Sequence, residues 1–120
     1  MEAYTNITIK VETEEQAIKV ANIMKRIASE RTPEFKAELT TFISDIKINE
    51  NVVEINDSCS LISNTFCEMV PQIMFAIGRY DFGRISMDAY YYSCNCGYEA
   101  TCIGRRFKNG NIRISLKETD

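Results

Sequence analysis

The chain contains no histidine and no tryptophan, only two prolines and five glycines, and no long apolar run. Each shortage closes a class. Without an imidazole, Ser-His-Asp triads, Cys-His nucleophiles and histidine-ligated zinc are unavailable. No segment approaches the roughly 20 uninterrupted apolar residues that a helical bilayer span requires. So few glycines and prolines exclude collagen-like and low-complexity chains. The start, Met1-Glu2-Ala3-Tyr4, lacks the basic residues and apolar stretch of a secretory signal, so a cytoplasmic location is expected. Five cysteines are an odd number without close-set spacing, which fits reduced thiols better than a disulfide framework.

What remains is an ordinary globular composition. At 120 residues with 45% hydrophobic content, the chain has the length and apolar mass to fold as one domain, residues 1–120, without a metal or disulfide staple. The formal charge of -3 is unevenly spread: acids outnumber bases over residues 1–70, whereas five of the seven arginines, Arg79, Arg84, Arg105, Arg106 and Arg113, fall in the remainder. An acidic total argues against duplex DNA, because phosphate neutralisation needs a concentrated basic surface.

Periodicity supplies the elements. Ile7, Ile9 and Val11 alternate with Thr8, Lys10 and Glu12, the period of two of a strand with one buried face. Thr13 then opens a helix: its hydroxyl caps the first turn, Gln16 completes a capping box, and Glu14 and Glu15 suit the positive end of the dipole. Ala17, Val20, Ala21, Met24, Ile27 and Ala28 recur at helical spacing until Pro33.

Phe35 to Ile48 reads as a second strand with a break near Ser44-Asp45, where the alternation changes phase. Asn49-Glu50-Asn51 turns the chain into a short third strand, Val52 to Ile55. Asp57 or Ser58 is the expected cap of a second helix running through Leu61, Phe66, Met69, Ile73 and Ile77, with Pro71 kinking or restarting it. Arg84 to Ser93 alternates again, with Ile85, Met87, Ala89 and Tyr91 on one face and Ser86, Asp88, Tyr90 and Tyr92 on the other. Tyr98 to Phe107 and Ile112 to Leu116 flank Asn109-Gly110, a type I′ hairpin signal. That turn sets Ile103 opposite Leu116 and Arg106 opposite Arg113, with Ile103, Phe107, Ile112, Ile114 and Leu116 on the core face.

The expected fold class is therefore α+β: a two-layer sandwich with a mainly antiparallel sheet of about five to six strands and two helices on one face. Its element order is ferredoxin-like, with a C-terminal β-meander added.

Little in the chain assembles a reaction. Cys94, Cys96 and Cys102 surround one hairpin, but the spacing is not the C-x2-C knuckle and no fourth ligand is near. Cys59 and Cys67 read as helical core positions, and Met24, Met69, Met74 and Met87 as core gap-fillers. Gly78, Gly83 and Gly104 do not have the spacing of a phosphate loop. Asp81 reads as a turn residue.

The most informative set is Tyr90 and Tyr92 with Arg106 and Arg113, joined by Asp88 as an acid that an arginine would pair. On the open face of a one-sided sheet these side chains suit a protein interface, where Tyr and Arg give large contact area at low ordering cost. The expectation is a non-enzymatic protein-binding module, in the form of an acidic inhibitor or immunity-like partner of a basic protein, with no cofactor and no metal. A homodimer is compatible with the composition. The alternatives are a single-stranded nucleic-acid binder, stacking bases on the tyrosines, and a metal or redox protein centred on the cysteines. The aromatic-basic RNP signature is missing, which ranks the RNA reading below the protein one.

Overall fold

A computed structural model describes residues 3–30, 36–59, 61–78, 84–93, 97–105 and 115–119. The chain runs β1 (Ala3–Lys10), α1 (Glu14–Ser29), α2 (Lys36–Ser44), β2 (Lys47–Asn49), β3 (Val52–Ser58), α3 (Ser63–Gly78), β4 (Arg84–Ser93), β5 (Gly97–Arg105) and β6 (Ser115–Thr119). The result is an α+β fold with an open antiparallel sheet and three helices among the described residues. Neighbouring strands pair in the order β2-β3-β1-β4-β5-β6, so β1 is central, antiparallel to both β3 and β4.

Alternation decides which face is covered. Ile7 and Ile9 of β1, Val53 and Ile55 of β3, and Ile85, Met87, Ala89 and Tyr91 of β4 are all buried. Across the ladder Ile7 stands between Ile55 and Ala89, and Ile9 between Val53 and Met87, giving continuous apolar rows. Against them lie Val20, Met24 and Ile27 of α1, Phe42 of α2, and Phe66, Met69, Ile73 and Ile77 of α3, in one cluster. All three helices therefore stack behind one face of the sheet. The intervening residues Thr8, Lys10, Ser86, Asp88, Tyr90 and Tyr92 are half-buried or exposed.

The start of α1 follows the sequence signal closely. Thr13 Oγ1 accepts the Gln16 amide N–H at 3.1 Å, and Gln16 Oε1 accepts the Thr13 amide N–H at 3.2 Å and that of Glu12 at 3.0 Å. Two otherwise orphaned amides are thus satisfied reciprocally, with Glu14 and Glu15 in the first turn.

Four expectations need correction. The stretch taken as an alternating second strand is largely the helix α2, so the helices number three rather than two among the described residues. The apparent change of phase is a helical spacing: Leu39, Phe42 and Ile46 are buried and Ile43 is half-buried, at intervals of three and four. Second, Ser58 is no helix cap. It ends β3, which is longer than expected, and its hydroxyl donates to Asp45 Oδ2 at 2.5 Å, while α3 begins at Ser63. Third, Cys59 lies outside the helix and is exposed, although Cys67 is half-buried on α3.

Fourth, β5 and β6 pair three residues away from the predicted register. Leu116 is opposite Ala100, not Ile103, and Ala100 in turn faces the buried Ala89. Ile103 instead stands opposite Ser86, on the other parity of the ladder. A two-residue turn at Asn109-Gly110 would force a different pairing, and that turn lies outside the described residues together with Phe107, Ile112 and Ile114. Pro71 sits inside α3, which continues through it to Gly78.

Candidate functional site

The uncovered face of the sheet is built by β1 and β4. Tyr4 is opposite Tyr92, Asn6 opposite Tyr90, Thr8 opposite Asp88 and Lys10 opposite Ser86. Tyr90 is 50% exposed and Tyr92 46%, large values for aromatic side chains in the middle of a sheet. They are exposed because β4 sends every second residue away from the helices, and their neighbours Ala89 and Tyr91 take the buried positions.

Tyr92 does not stand alone. Its ring lies 5.2 Å from that of Tyr4 at an interplanar angle of 33°, within the range where tilted aromatic pairs attract. The pair holds one of the two exposed rings in a defined orientation before any partner arrives. Tyr4 was not singled out by the sequence pattern, though its parity with Thr8 and Lys10 in β1 was a sufficient signal for its face.

Asn6 is the second residue the sequence did not single out. β3 carries a bulge: Thr5 pairs with Ser58 and Ile7 with Ile55, so Asn56 and Asp57 together oppose Asn6. Asp57 takes a left-handed φ of 51°, and its amide N–H donates to Asn6 Oδ1 at 3.0 Å. The Asn6 Nδ2 is buried and has no hydrogen-bond partner among the described residues. The side chain is thereby anchored to the bulge directly beside Tyr90.

Asp88 is exposed and faces Thr8 on one side and Thr101 on the other. No arginine stands directly opposite it in the ladder. Arg106 and Arg113 lie outside the described residues, as do Cys94 and Cys96. Among the residues of this face whose burial is described, the charged ones are Lys10, Lys47, Glu54 and Asp88; Arg84, Glu99, Arg105 and Lys117 occupy register positions of the same parity on β4, β5 and β6.

Elsewhere, Lys19, Asn22, Ile23 and Arg26 line a shallow open depression along α1. Among the described residues no three His, Cys, Asp or Glu side chains converge to hold a metal ion, and no described helix is long and apolar enough to cross a membrane. No protein-family model, curated protein or solved structure matches the chain.

Proposed function

We propose that the chain is a protein-binding module without catalytic activity, which recognises its partner through the uncovered sheet face. Tyr90 and Tyr92 are its central contacts, Asp88 lies at its flank, and Arg106 and Arg113 complete the set. In the same reading, β4-β1-β3-β2 corresponds to the split β-α-β arrangement, β5 and β6 extend the sheet, and the module acts in the cytoplasm as an acidic inhibitor or immunity-like protein.

One observation carries the reading: two half-exposed tyrosines occupy adjacent same-face positions of β4, away from all three helices. Tyrosine is enriched at interface centres because it buries large area while fixing only two torsions.

The test is affinity capture from the source cells with mass-spectrometric identification, comparing the wild type with the variant Tyr90→Ser, Tyr92→Ser, Arg106→Ser, Arg113→Ser. A partner retained by the wild type and lost with the variant, at unchanged thermal stability, supports the assignment. Equal retention by both removes it. Retention that is sensitive to nuclease and falls steeply with salt replaces it by the nucleic-acid alternative.

A further inference from the structure

Charges on the uncovered face are ordered along the ladder. Lys47 stands opposite Glu54, Glu54 opposite Thr8, and Thr8 opposite Asp88, so a single row crosses β2, β3, β1 and β4. Thr8, Glu54 and Asp88 each lie between two buried neighbours, which places them on the side away from the helices. Lys47 shares that side as the cross-strand partner of Glu54.

Read from the β2 edge inward, the row is positive, negative, neutral, negative. Two copies stacked face to face about an axis parallel to the strands exchange these columns in a defined way. With the axis between β3 and β1, Lys47 lies over Asp88 of the second copy, Asp88 over Lys47, and Glu54 over Thr8. With the axis along β1, Glu54 lies over Asp88 and the like charges oppose association. The row therefore distinguishes one two-fold arrangement from its neighbour, the self-complementarity that an isologous interface requires. Sheets stack roughly 10 Å apart, a gap that an extended lysine and an aspartate span between them.

We infer that this face binds a second copy of the chain in that arrangement, and that self-association occupies Asp88, at the flank of the recognition surface, until a partner competes for it. The inference rests on the proposed function for its regulatory meaning, but the self-association stands by itself. Its strength is bounded by area. Three strands of about six residues and the three residues of β2, at about 4.8 Å spacing and 3.3 Å per residue, present roughly 330 Å² per copy. That is under half the side of a standard stable interface, so the dimer is weak and reversible. A competitor can displace it.

Sedimentation velocity over a concentration series at low salt tests this with Lys47→Asp, Asp88→Lys and the double exchange. The wild type is expected to self-associate. Each single variant sets like charges over each other twice and should weaken association by about tenfold or more, while the double exchange should restore it. A wild type that stays monomeric throughout, or a double exchange as weak as the singles, overturns the inference. Partner capture is read separately: tyrosine-dependent capture by a monomeric wild type preserves the proposed function and removes only self-association. Self-association rescued by the exchange, without tyrosine-dependent capture, does the reverse.

Discussion

Asn6 Oδ1 accepts the backbone N–H of Asp57 at 3.0 Å, from the middle of one strand to the bulge of the next. The bond satisfies an amide that the bulge takes out of the regular ladder, and it does so at a residue held at positive φ. It also links the position beside Tyr90 to the β1/β3 pairing, so the candidate site and the sheet's irregularity share one residue.

Replacing Asn6 by alanine should therefore destabilise the fold by about 1–2 kcal/mol, since a backbone donor loses its acceptor. The measurement is urea denaturation, read as a shift in midpoint at constant slope. A shift no larger than that of a surface substitution such as Lys25→Ala would deny the bond any energetic role.

Glu50 takes φ 56° at the first position of the two-residue turn between β2 and β3. A side chain there costs about 1 kcal/mol in the left-handed region, which glycine does not incur. Glu50→Gly is expected to raise the melting temperature by a few degrees. Asn51, the next residue, should behave oppositely. Its Nδ2 donates to the Val11 carbonyl at 2.7 Å while its own carbonyl accepts the Val11 amide at 3.0 Å, so Asn51→Ala should cost about 1 kcal/mol.

The parts legible from the sequence are those where one physical signal acts alone. β1, α1 and β4 declare themselves by clean periodicity and, for α1, by a capping box whose bonds are all present. The exposed faces of Tyr90 and Tyr92 followed from alternation in β4. Failure came where two signals compete. In α2, the β-branched Thr40, Thr41 and Ile43 favour a strand, while Leu39, Phe42 and Ile46 are spaced for a helix; burial against α1 decided for the helix. The β5/β6 register was inferred from a local turn preference alone, whereas the paired strands lie three residues from that register. Tyr4 and Asn6 carry no motif, and their importance arises only when β4 and the β3 bulge are placed on either side of β1.

The competition in α2 is measurable. Phe42 is fully buried and Thr41 exposed, the reverse of the alternation that would bury Thr41. Phe42→Ala should cost about 3–5 kcal/mol. Thr41→Ala should be neutral or stabilising by about 0.5 kcal/mol, because alanine is the better helix former. A destabilising Thr41→Ala with a mild Phe42→Ala would return the segment to a strand.

Thr5 offers a prediction of opposite sign. It is 0% exposed, its register partners on either side are the buried Ser58 and Tyr91, and its hydroxyl has no hydrogen-bond partner among the described residues. Burying an unpaired hydroxyl carries a desolvation penalty that the hydrocarbon of the same shape avoids. Thr5→Val keeps the β-branched outline and should stabilise the fold by about 1 kcal/mol in urea denaturation. Ser58→Ala in the same strand pair should destabilise it, because Asp45 loses the hydroxyl that donates to it. Were Thr5→Val to cost stability instead, the hydroxyl would be bonded in solution, and a bridging water between Thr5 and Ser58 would be the physical reason to seek.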